Sequence, residues 1–70
     1  MAHKILADVS GRVWKIEAAS GATVARGAIL MILESMKMEI PVEAPHAGVV
    51  RLLVAEGEVV AEGQALAEIG

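Results

Sequence analysis

GATVARG, Gly21–Gly27, recurs as GEVVAEG, Gly57–Gly63, and both read G-x-x-V-A-x-G at an offset of 36 residues. Self-similarity at a fixed spacing marks a doubled structural unit. Working outward, a further glycine lies upstream of each copy, Gly11 and Gly48, and each is followed by an apolar run. Downstream of the copies stand AILMILE (Ala28–Glu34) and QALAEIG (Gln64–Gly70). The chain therefore reads as one unit used twice, about 7–34 and 44–70, with ESMKMEIPVE (Glu34–Glu43) as the hairpin joining the halves. The copies differ in length: Gly11 to Gly21 is ten residues and Gly48 to Gly57 is nine. The lost residue is placed near the turn at Ala55 and Glu56.

Each unit is written in β chemistry. RVWKIE, ILMILE, EIPVE and GVVRLLV are rich in branched side chains and punctuated by turn residues, the pattern of short strands. RLLVAEGEVVAE has helix-favouring Ala and Glu, but Gly57 breaks it with a turn. Many short strands at close spacing give a sandwich or a flattened barrel. Two similar halves are expected to pack face to face about a pseudo-twofold axis. Pro41 and Pro45 belong at strand edges or bends, because neither can donate a ladder hydrogen bond.

Length and composition narrow the function classes. Seventy residues make a single domain, 1–70. At 56% hydrophobic with Trp14 as its one aromatic, the core must be built from Val, Ile, Leu and Ala. No cysteine is present, which removes disulfides and thiolate metal sites. A net charge of -3 argues against nucleic acid, which recruits basic patches. The apolar run from Ala28 to Leu33 is too short for a membrane span, and no secretory signal is visible. A monomeric cytoplasmic protein is expected. The carboxylates are scattered, with no acid–base pair and hence no expected catalytic residue. His46 has no ligand partner at metal spacing and reads as a solvated turn; His3 is terminal; no metal site is expected. The Gly-x5-Gly turns lack the lysine and following helix of a phosphate loop. Met31 reads as packing, and Trp14 as half-buried filler.

The joining segment carries the chemistry. Met36-Lys37-Met38 is bracketed by Glu34 and Glu39, with Ser35 before it. Pairing of ILMILE with MEIPVE would put Lys37 at or beside a hairpin tip, with Ser35, Met36 and Lys37 as the connection. An exposed lysine is ordinarily plain solvated surface. Two methionines at an exposed tip have no structural use, and methionine adapts well to partner pockets. A Met-Lys-Met triplet at the midpoint of a glycine-punctuated repeat turns the reading toward a lysine displayed for modification.

These residues resemble the biotinyl/lipoyl-domain family, and within it the biotin carboxyl carriers of the small free-standing type. Those domains carry the modified lysine in Met-Lys-Met at a hairpin tip, matched here by Met36, Lys37 and Met38. Glu34 matches the acid that commonly precedes it, and Pro45 and Gly48 match the family's downstream Pro-then-Gly stretch. The resemblance covers essentially the whole chain. It implies an all-β flattened barrel or sandwich of two four-stranded antiparallel sheets with internal pseudo-twofold symmetry. Lipoyl domains of the same fold usually have an acid before the lysine; methionine here favours biotin. Two departures stand out: Ser35 replaces a common alanine, with little effect expected, and Ala18–Thr23 is too short for the protruding thumb of some bacterial carriers.

The implied function is that of a non-catalytic carrier. A biotin protein ligase would join biotin to Lys37 through attack of the lysine amine on the mixed anhydride of biotinyl-AMP, with Glu34, Ser35, Met36, Met38 and Glu39 as its recognition motif. The sequence offers no base beside Lys37, so the ligase must take the proton. The biotin would then carry CO2, as carboxybiotin, from a biotin carboxylase to a carboxyltransferase, its tether raising local concentration at each site. The acceptor expected is an acyl-CoA, as in the acetyl-CoA carboxylase of fatty acid metabolism. The alternatives are a lipoyl carrier of an acyl-transfer complex and, from another class, an unmodified interaction module.

Overall fold

The repeated glycine motif makes paired β-turns. In Ala55–Glu58, the Glu58 N–H donates to the Ala55 carbonyl at 3.1 Å, and Gly57, in third position, has φ +86°. A turn of that kind needs positive φ at its third residue, where glycine bears no side-chain penalty. Turns of the same form stand at Gly21, Gly27 and Gly63. The V-A-x-G signature is thus a short strand ending at valine, followed by a turn that starts on alanine.

The computed structural model describes residues 2–70. Eight strands follow in order: β1 His3–Leu6, β2 Gly11–Ile16, β3 Thr23–Val24, β4 Ile29–Ser35, β5 Met38–Glu43, β6 Gly48–Leu52, β7 Val59–Val60 and β8 Ala65–Ile69. They form two four-stranded sheets, ordered β1-β8-β6-β3 and β5-β4-β2-β7, with every pairing antiparallel. Replacing β1–β4 by β5–β8, and the reverse, turns one sheet order into the other. That is the expected pseudo-twofold. Its form differs from two halves stacked face to face, because each sheet takes two strands from each half. The halves are interleaved.

The extra residue of the first copy lies elsewhere than expected. Along β2 and β4 the partners run Val13 with Leu33, then Lys15 with Ile32, so Trp14 is skipped. The equivalent partners Val50 with Ile69 and Arg51 with Glu68 are continuous. The difference in length is therefore a bulge at Trp14, and the Ala55–Glu58 turn is a close copy of the Ala19–Ala22 turn. Composition hid this, because a bulge has no residue signature of its own. Trp14, at the bulge, is 43% exposed, the half-buried position expected of it.

A second irregularity occurs in both halves and builds the core. The β4–β5 register shifts between Ile29 and Met31, and the β1–β8 register shifts where Leu66 is passed over. Two consecutive residues of each strand consequently turn inward: Leu30 with Met31, and Leu66 with Ala67, all at 0% exposure. Leu66 joins Val13, Met31, Leu33 and Val60 in one cluster, while Leu30 joins Ile5, Val50, Ala67 and Ile69 in the other. Each leucine thus packs mainly against strands of the opposite sheet. Burial of such a side chain is worth about 1.5–3 kcal/mol. Among the described residues no polar side chain is buried, so the core holds no polar group that needs a partner.

Candidate functional site

Only two residues, Met36 and Lys37, connect β4 to β5, since Ser35 already pairs with Met38. The connection is one residue tighter than expected. A two-residue hairpin whose strands keep their natural twist needs positive φ at both central positions, which Asn and Gly usually supply. Here Met36 has φ +51° and Lys37 has φ +67°. Side-chain-bearing residues reach that region at a cost of roughly 1–2 kcal/mol each. The local sequence is a poor turn former, and the flanking ladder holds it in place. Met36→Asn should accordingly raise the melting temperature by a few degrees, because Asn tolerates this region and about 1 kcal/mol shifts a domain of this size by roughly 4–8 °C. Thermal denaturation of the two proteins checks this; a lower midpoint for the variant would contradict the strained turn.

The tip presents its side chains to solvent. Met36 is 93% exposed and Met38 64%, and Lys37 is exposed as well. Among the described residues Lys37 makes no ion pair: the salt bridges join Arg12 to Glu34, Lys15 to Glu17 and Arg51 to Glu68. Glu34 stands directly across from Glu39 on the neighbouring strand and from Arg12 on the other side. Two carboxylates facing each other repel, and the Arg12 guanidinium, 3.5 Å from Glu34, offsets this. The acids that flank the lysine in sequence thus sit below the tip and leave its ammonium free.

Two features beneath the turn were missed in the sequence. The Ser35 hydroxyl donates to the Ser10 carbonyl at 2.8 Å, and the Ser10 hydroxyl accepts from the Glu62 N–H at 3.2 Å. The tip is thereby tied to the β1–β2 loop and, through it, to a turn of the second half. Serine at position 35 is more than a neutral replacement for alanine. Ser35→Ala should cost about 1 kcal/mol, the usual net value of one hydrogen bond, as read from the urea midpoint; no change would mean the tether is idle. The second feature is Gly11. A Cβ there would lie 2.5 Å from the Glu34 carbonyl oxygen, so only glycine lets β2 run this close under the hairpin. Gly11 was legible as a repeat marker, but its contact with the tip depends on pairing that sequence spacing does not reveal.

Other residues read from the sequence take the following positions. Met31 is core. Pro41 lies on β5, an edge strand, and Pro45 in the bend that follows it. His3 and His46 come together with ring centroids 5.5 Å apart, and among the described residues no group of three metal-ligating side chains forms.

A rigid β-sandwich that displays one unpaired lysine on a strained two-residue turn has the form of an attachment domain. Comparison with known proteins agrees. Residues 1–69 match the biotin/lipoyl family model, described as "Biotin-requiring enzyme". The chain is 39% identical over 70 residues to the biotinylated protein TB7.3 homolog of Mycobacterium leprae, covering 99% of both chains. It is 41% identical over 66 residues to the biotin-dependent acyl-coenzyme A carboxylase alpha3 subunit of the same organism, covering 93% of this chain and 11% of that one. The crystal structure of Kluyveromyces lactis urea carboxylase superposes with a TM-score of 0.92 at 35% identity, over 100% of this chain and 6% of that one. This chain belongs to the biotin/lipoyl attachment family.

Proposed function

We propose that the protein is a biotin carboxyl carrier, with biotin joined through an amide to Lys37. The observation that carries the reading is the free, exposed ammonium of Lys37 between two exposed methionines on a two-residue turn. The residues fit the group. An unpaired primary amine is the nucleophile acylation requires, and Lys37 is exposed, with no ion pair among the described residues. The turn sets the direction in which the Lys37 side chain leaves the backbone. Met36 and Met38 offer apolar, adaptable contact to a ligase and later to partner enzymes. Biotin, when bound, supplies a ureido nitrogen able to carry a carboxyl group. The protein supplies a rigid base and a tether, and the tether's high local concentration replaces diffusion of a free cofactor. The partners in this reading are a biotin protein ligase, a biotin carboxylase and a carboxyltransferase, acting on a monomeric carrier in the cytoplasm, where ATP and bicarbonate are at hand.

Intact mass after co-expression with a biotin protein ligase tests the assignment. Addition of one biotinyl group at Lys37, located by peptide mapping, is expected; a lipoyl group gained in the source cell would replace biotin by the rival cofactor. For the acceptor we assign an acyl-CoA. The 41% identity to an acyl-CoA carboxylase subunit supports this choice, and the urea carboxylase likeness names the competitor. Carboxyl transfer from the loaded protein to acetyl-CoA and to urea, each with its own carboxyltransferase, distinguishes them.

A further inference from the structure

The two sheets leave a gap along one side. β1 and β5 are both outer strands, one in each sheet, and a cleft of about 130 Å³ opens between them. Its apolar wall includes Leu6, Val9, Leu33 and Ile40. Leu6 is 50% exposed there, a large apolar side chain left facing the opening. Asp8 and Glu43 stand at the lining, and among the described residues neither carboxylate has a hydrogen-bond or ion-pair partner. The cleft therefore suits a small body with an apolar surface and N–H donors at its edge.

We infer that the β1–β5 cleft is a resting site for the biotin bicycle carried by this same chain's Lys37. The inference rests on biotinylation of Lys37. Reach permits it. Ile40 lies three residues along β5 from Lys37, about 10 Å of strand, and a biotinyl-lysine extends about 14 Å from Cα to the ring at ordinary bond lengths. The Asp8 side of the cleft is held beside the tip, because Ser10, two residues on, accepts the Ser35 hydroxyl. Size permits it too: an apolar cavity of about 150 Å³ takes a benzene ring, and this cleft, open on one side, takes the ring pair in part. The thiophane face meets Leu6, Val9 and Ile40, and the ureido N–H groups meet Asp8 or Glu43. Docking shields the ring between visits to the partner enzymes without holding it against them. A short tether gives an effective concentration in the millimolar range, so even a millimolar Kd keeps the ring docked about half the time.

The test uses the loaded protein. On biotinylation the methyl resonances of Leu6, Val9 and Ile40 should move, while those of Val24 and Val50, outside the cleft lining, stay in place. Stopped-flow capture by streptavidin should be about twofold faster, or more, for Leu6→Ser with Asp8→Ala than for wild type, because only the undocked ring is captured. Both substituted side chains are exposed, and unchanged Val24 and Val50 resonances confirm the fold. A loaded Lys37 with still methyls and equal capture rates overturns the resting site alone. Cleft methyls that move only when a biotin carboxylase is added overturn it in favour of an edge for protein docking. A Lys37 that intact mass shows unloaded overturns the biotin assignment, and the resting site with it.

Discussion

Arginine at position 37 should yield a folded protein that a biotin protein ligase cannot load. Labelling detected by streptavidin should fall to background, and the intact mass should stay at that of the unmodified chain. Arginine keeps the charge and, as another unbranched exposed side chain, meets the same backbone strain at φ +67° as lysine does, so stability should change by no more than about 0.5 kcal/mol. The thermal midpoint should therefore match wild type. The guanidinium is a far poorer nucleophile, since it stays protonated at every pH the protein survives. Lys4 and Lys15 serve as internal controls. Lys15 is occupied by Glu17 at 3.5 Å, and Lys4 lies on β1, paired across from Glu68. Labelling that survives the substitution would transfer the site to one of these two and remove the meaning given to the triplet.

Exchanging two neighbours, Lys37→Met together with Met38→Lys, should slow labelling about a hundredfold while composition and charge stay constant. Position 37 is the second residue of the turn, at φ +67°. Position 38 belongs to the ladder, opposite Ser35. Moving the amine by one residue shifts it about 3.3 Å along the chain and redirects it, and a misplacement of about 1 Å can cost roughly a hundredfold when reacting atoms must meet within about 3–3.5 Å. Circular dichroism should be unchanged, and initial rates of ligase-catalysed labelling decide the outcome. A wild-type rate would mean that the ligase reads a pliable peptide and that the turn's geometry is incidental.

Much of this architecture is legible in the sequence. The G-x-x-V-A-x-G repeat announced its turns and its symmetry, since a positive φ selects glycine strongly enough to leave a mark on the sequence. Met36, Lys37 and Met38 were legible because apolar residues at an exposed tip need a reason. Features that depend on which strand lies beside which left no such mark. Strand order, and with it the interleaving, follows from nonlocal pairing that residue spacing does not encode. The Trp14 bulge was visible only as a difference of one residue, with no signal for its place. Ser35 showed as a small polar residue, yet its partner, Ser10, lies 25 residues away. The β1–β5 cleft belongs to the same group, because its walls come from the outer strands of two different sheets.

The pairing of His3 with Ile69 is the counterpart, under the pseudo-twofold, of the pairing of Ile40 with Leu33 below the lysine turn, and this separates residues 3 and 69 from Lys37. β2 starts beneath the lysine turn, where Gly11 meets Glu34. The turn that follows β2 bonds through Gly21 to Val50, the partner of Ile69. Residues 3 and 69 therefore leave the sandwich from the end remote from Lys37. Whatever anchors the protein there, whether a surface, a tag or a longer polypeptide, holds it by the stern and leaves the bow clear. In the proposed carrier role, the whole domain lengthens the reach of a biotin on Lys37, and the distance between two enzyme centres that one carrier can serve includes its own body.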